Sequence, residues 1–119
     1  TLVEESLDYH ASHADFIRLV CSENLLRGRY ISQSTQIKAG NKSALDVLDD
    51  ILQRGRATGL FRDDRETLDV HRLISSICVH HVANRYTFRT LFTGDNSDAE
   101  LTARTRQLTV DATLSYVRK

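Results

Sequence analysis

The sequence predicts an all-α domain, an antiparallel bundle of about five helices. Three observations support this. The 119 residues contain no proline, against about six at average usage, and proline is the residue that removes a helical donor and clashes with the preceding turn. Apolar residues recur at three- and four-residue spacing. No stretch keeps the period-two alternation of a half-buried strand. With 40% hydrophobic and 27% charged residues, the chain reads as one globular domain over residues 1–119, long enough to bury roughly two-thirds of its unfolded surface.

Residues 1 to about 9 carry Leu2, Val3 and Leu7 and read as the tail of a helix, broken at His10-Ala11-Ser12-His13. Ser12, with Asp15 three residues on, then caps a second helix. Its face holds Phe16, Leu19, Val20 and Glu23, and Gly28 loosens its end. A short helical turn is expected from Ile31 to Ile37, followed by a break at Ala39-Gly40-Asn41. Ser43, with Asp46, is expected to cap a third helix through Leu45, Leu48, Ile51 and Leu52, ending at Gly55 or Gly59. Asp64 is expected to cap a fourth helix from Arg65 to about Leu91. The capping box Ser97-Asp98-Ala99-Glu100 opens a fifth through Leu101, Leu108, Val110, Leu114 and Val117.

Helix four is apolar on more than one side. Leu73, Ile77, His80, Asn84, Phe88 and Leu91 share one face, while Leu68, Ile74, Val79, Val82 and Phe92 lie elsewhere around the cylinder. A helix apolar on several sides needs cover on several sides. Two copies can supply it by packing two helices each into an interfacial four-helix bundle. A homodimer is therefore expected, with Val82, Leu108, Ala112 and Tyr116 at its seam.

Charge narrows the partners. Sixteen basic and sixteen acidic side chains cancel, whereas a nucleic-acid reader shows a basic stripe. The chain is not expected to grip DNA by itself. No signal peptide and no apolar run near the ~20 residues that span a bilayer is present. Cys21 and Cys78, without a framework spacing, read as buried, reduced thiols of a cytoplasmic protein. The chain opens inside a helical pattern without methionine, and so reads as part of a longer protein.

The turn Gly59-Leu60-Phe61-Arg62-Asp63-Asp64 resembles the "G-x-F-R-x-D" turn joining two long helices in the effector-binding half of tetracycline-repressor (TetR) family transcription regulators. Three more stretches are similar to the same C-terminal domains: "H-A-D-F-I-R-L-V" at 13–20 with "S-E-N-L" at 22–25, "L-x-x-I-L-x-R-G" at 48–55, and "A-N-R-Y-T-F" at 83–88. Ala14 and Arg65 stand where the family often has proline, both positions where a first-turn helix residue fits. The resemblance implies a non-enzymatic regulator, such as a repressor, with a small-molecule effector held between helices two to four. DNA would be read only through an N-terminal helix-turn-helix domain that this chain lacks.

The effector-site candidates are Phe16, Val20, Glu23, His80, Asn84 and Phe88. His80 and Asn84 lie one turn apart in an apolar stripe, so each either bonds within the core or seam, or faces a ligand. Glu23 either pairs with Arg27 at a large desolvation cost or enters the pocket as an acceptor. His81 points away as a structural or interfacial group, and Arg85 and Arg89 read as a solvated or interfacial face. His10 and His13 with Asp8 and Asp15 straddle a helix break and read as a surface cluster, not a metal site. No paired Glu-x-x-His, Gly-rich phosphate loop or nucleophile elbow occurs, so neither catalysis nor a cofactor is expected. The competing reading is an all-helical oligomerisation module with a filled interior.

Overall fold

In the computed structural model, which describes residues 2–93 and 98–119, the chain forms α1 (Leu2–Ser12), α2 (Ala14–Leu25), a 3-10 turn (Ile31–Gln33), α3 (Thr35–Ala57), α4 (Thr67–Phe88), a wider π-type turn (Arg89–Thr93) and α5 (Asp98–Val117). There is no strand among the described residues; a single antiparallel bridge joins Phe61 to Arg118. The all-α expectation holds.

Helix α4 is the centre, with α1, α2, α3 and α5 all packing on it, and α1 also touching α5. The core consists of Leu7, Leu48, Leu52, Val70, Ile74, Cys78 and Val117, with Leu2, Val3 and Phe61 laid against it. It is thin. The molecule measures 44 × 39 × 20 Å with a radius of gyration of 15.8 Å, against about 13.5 Å for a compact chain of this length. Large apolar side chains stay outside as a result, among them Leu25, Tyr30, Leu91, Phe92 and Leu108.

The helix ends show how local chemistry shapes the chain. At the end of α3, Gly59 N–H bonds Arg56 C=O (3.0 Å) and Leu60 N–H bonds Gly55 C=O (3.0 Å), a Schellman closure with Gly59 at φ +77°. The same closure ends α2: Arg27 N–H reaches Asn24 C=O (3.0 Å) and Gly28 N–H reaches Glu23 C=O (2.8 Å). There the left-handed position is held by Arg27, at φ +59°. Beyond α3, the turn folds back onto α5. Arg62 N–H bonds Val117 C=O (2.8 Å), Lys119 N–H bonds Leu60 C=O (3.2 Å), and Arg65 Nε donates to Tyr116 C=O (2.9 Å). The Phe61 ring lies on Gly55, where a β-carbon would overlap it. This turn is a clasp joining α3, α4 and the end of α5.

Several sequence expectations are corrected. The chain does not break at Ala39-Gly40-Asn41: α3 runs through, capped by Ser34, whose Oγ accepts Ile37 N–H (3.2 Å), so Ser43 lies inside the helix. One interior glycine costs only about 1 kcal/mol, less than interrupting the hydrogen-bond ladder. Ser12 is the last residue of α1, and its hydroxyl donates back to Tyr9 C=O (3.0 Å). The cap position of α2 falls to His13, which makes no side-chain cap. Asp64 does not cap α4, whose cap position is Glu66; its carboxylate is held by Arg62 Nε (2.9 Å). Helix α4 ends at Phe88, short of Leu91. Cys21 is exposed and only Cys78 is buried. The expected Ser97 cap lies outside the described residues.

Candidate functional site

The most chemically suggestive concavity lies between α4 and α5. Ile77, His80, Phe88 and Phe92 come from α4 and the turn after it, Leu101, Arg104, Thr105 and Leu108 from α5, around a cavity of about 810 Å³. This falls within the size range of small-molecule pockets. Its spacing follows from helix geometry. His80 and Phe88 are two turns apart on α4, and Leu101, Thr105 and Leu108 recur at four and three residues on α5, so each set lines one face. The His80 and Phe88 rings meet edge-on, with centroids 5.9 Å apart at 84°. Phe88 in turn touches Phe92 at 5.3 Å.

The polar groups here are basic. His81 lies under the cavity, 5% exposed, with Nε2 3.2 Å from Thr102 Oγ1 and Nδ1 3.4 Å from Thr105 Oγ1. Burial, and then the nearby Arg85 guanidinium, hold its pKa below the ordinary histidine value. His81 was expected to point away as a structural or interfacial group; it is buried and hydrogen-bonded, and it also lines the cavity. Arg85 donates to the Tyr86 hydroxyl (3.1 Å) and stands 3.9 Å from Asp98 at the rim. Its Nε is buried with no hydrogen-bond partner among the described residues. Arg89 also reaches Asp98, at 3.3 Å. Aspartate and glutamate are missing from the residues lining the cavity.

Of the six effector-site candidates, the structure brings His80 and Phe88 together in this cavity. The other four lie elsewhere. Glu23 is buried, but its carboxylate accepts Tyr30 N–H (3.0 Å) and Ile31 N–H (3.2 Å), closing its own loop instead of pairing with Arg27. Phe16 lies exposed and Val20 half-buried on α2, and Asn84 is exposed on α4. Among the seam candidates, Leu108 is 58% exposed, and Ala112 and Tyr116 are half-buried. The Tyr116 ring is already covered on one side by the Arg65 guanidinium, 4.3 Å from its centroid. Val82 is 6% exposed: the chain's own helices cover it, which leaves almost none of its surface for a second copy.

Sequence reasoning missed Arg104 and Arg85 as cavity residues. Arg104 and Arg106 stand two residues apart on α5. The two diverge around α5: Arg106 binds Asp8 of α1 (3.3 Å), while Arg104 turns to the cavity. The i, i+4 step from Leu101 to Thr105 and from Arg104 to Leu108 was the available signal. No group of three or more metal-ligating side chains that could hold an ion occurs among the described residues. No helix there is long and apolar enough to cross a membrane.

Residues 1–113 match the family model described as tetracyclin repressor-like, C-terminal domain. The chain is 30% identical over 112 residues to the HTH-type transcriptional repressor NicS of Pseudomonas putida (strain KT2440), an alignment covering 94% of this chain and 53% of that protein. The chain therefore spans about half the length of this curated relative.

Proposed function

The chain belongs to the tetracycline-repressor family as a C-terminal domain of that class, and from this premise we propose that it is the ligand-sensing and homodimerisation half of a transcriptional repressor. Two copies pair through α4 and α5, and DNA is read by a separate helix-turn-helix domain in the same polypeptide. A small molecule held against α4 biases the spacing of the two DNA readers. The size of that bias is limited by the ligand's differential affinity for the two arrangements.

The observation that carries the proposal is the uncovered apolar flank of the last two helices. Leu108 and, beyond α4, Leu91 and Phe92 are 58%, 65% and 73% exposed, and Ile77, Phe88 and Leu101 are only half-covered beside them. An apolar strip on two adjacent antiparallel helices is self-complementary across a two-fold axis, and burying it gains about 25 cal/mol per Å². The Leu108, Ala112 and Tyr116 series, one residue per turn, gives that strip its line. The relative's role as a transcriptional repressor and the neutral net charge of this chain both fit a domain that positions DNA readers without touching DNA.

The test is Leu108→Glu in the full-length gene product. A buried, unpaired carboxylate at a two-fold seam meets its own symmetry mate. Operator affinity in a gel-shift assay is expected to fall at least tenfold, with the helical circular dichroism of the domain retained. Unchanged operator affinity would remove the α4–α5 seam from the proposal. A filled interior that binds no small molecule would leave the oligomerisation module as the better reading.

A further inference from the structure

We infer that the α4–α5 cavity is a site for an amphipathic organic anion, an apolar body bearing one carboxylate, bound by Arg85 and Arg104. This deepens the sensing role proposed above and rests on it. The walls select the body: Ile77, Phe88, Phe92, Leu101 and Leu108 are all apolar, and the volume is about 810 Å³, enough for a ligand of ten or more heavy atoms at ordinary pocket sizes. The charges select the head. Two arginines line the cavity, with no acid among the described lining residues.

The two guanidiniums are not used up. Arg104 is exposed, and no ion pair joins it to any described residue. Arg85 keeps a buried Nε with no hydrogen-bond partner among the described residues, and Asp98, 3.9 Å away, is shared with Arg89. A buried donor left unmade costs about 1–3 kcal/mol. A carboxylate is the group whose geometry a guanidinium fork matches. A neutral ligand with the same body would bring no charge to the Arg104 guanidinium and no acceptor to the buried Arg85 Nε. The cavity shares Ile77, Phe88, Phe92, Leu101 and Leu108 with the flank on which the second copy is proposed to dock, and the Leu108–Ala112–Tyr116 strip runs on from it along α5.

The experiment is calorimetric titration of the full chain with decanoate and, separately, with decan-1-ol, repeated on Arg104→Gln, Arg85→Gln and the surface control Arg18→Gln. Decanoate is expected to bind at least tenfold tighter than the alcohol. Arg104→Gln and Arg85→Gln are each expected to weaken decanoate about tenfold to a hundredfold, the range for a charge-assisted hydrogen bond, and to leave the alcohol unchanged. Arg104 has no ion pair among the described residues, so its variant tests the head group even where Arg85→Gln disturbs the helix pair. Equal affinity for acid and alcohol, no binding of decanoate, or an equal loss in Arg18→Gln would each overturn the assignment. Sedimentation of the same samples separates the two claims. A dimer without anion preference refutes only the cavity assignment, whereas a monomer refutes the seam.

Discussion

Gly55→Ala should destabilise this domain, although alanine is the better helix former. Gly55 is buried in the last turns of α3, and a β-carbon there would overlap the Phe61 ring, with even Cγ only 2.6 Å away. Helix propensity alone favours alanine by about 0.8–1 kcal/mol. Against this stands the displacement of a ring that cannot swing away cheaply. Phe61 N–H is bonded to Gly55 C=O (3.2 Å), and the next residue is tied to Val117 (2.8 Å), so the backbone on both sides is held. Overpacking of this kind costs about 1–3 kcal/mol, and expelling the half-buried ring from the core forfeits about 1–2 kcal/mol more, part of the full value for a phenylalanine. The clash outweighs the propensity gain, and the net loss should be about 1–4 kcal/mol. Urea unfolding at one fixed protein concentration would measure it, since association otherwise shifts the midpoint. Phe61→Ala in the Gly55→Ala background should recover at least ~1 kcal/mol relative to additivity, because the two changes relieve the same overlap. A Gly55→Ala variant as stable as the parent, or additive behaviour in the cycle, would refute the clasp.

Other outcomes follow from the same geometry. Arg27→Gly should stabilise the domain by up to about 1 kcal/mol in the same unfolding assay, because φ +59° is strained for any residue with a β-carbon; a loss of stability would mean that the arginine side chain matters more than its backbone. His81 is held below its ordinary pKa of 6.5 by burial and Arg85, so the unfolded chain takes up its proton first as pH falls. Its contribution to stability is complete above about pH 6.5 and is lost as pH drops toward the folded value. The melting temperature of the parent should therefore fall more steeply from pH 8 to pH 5 than that of His81→Asn, and parallel curves would contradict this. Cys21 is exposed and should react with a thiol reagent in the native state. Burial pushes Cys78 up to about 11, so it should react only on unfolding; two equally fast thiols would show that the core around Cys78 opens readily.

Much of the fold could be read from sequence because its punctuation is local. The end of α3 was narrowed to Gly55 or Gly59 because a left-handed residue is needed there and glycine supplies it without strain; Gly59 holds that position. Gly40 misled for the same reason: composition marks it as a breaker, and only the uninterrupted ladder of α3 decides otherwise. The site was less legible. His80 and Phe88, which line the candidate cavity, could be singled out because a polar and an aromatic group in an apolar stripe stand out. Arg85 and Arg104 were missed because a charged residue on a helix is solvated by default, and nothing local says which arginine turns toward a concavity. Glu23 looked like a ligand acceptor, but its partners are N–H groups created by the loop closing behind it at Arg27 and Gly28. Val82 is covered by the chain itself, and periodicity marks a side of α4 as apolar without saying whether the chain or a second copy covers it.

The central claim is that the outer flank of α4 and α5 is covered by a second copy. Sedimentation equilibrium of the 119-residue chain at micromolar concentration tests it most directly. The prediction is a single species of twice the 13.5 kDa protomer mass, converted to the protomer by Leu108→Glu. A parent chain that sediments at 13.5 kDa, with Leu108 left in solvent, would contradict the claim.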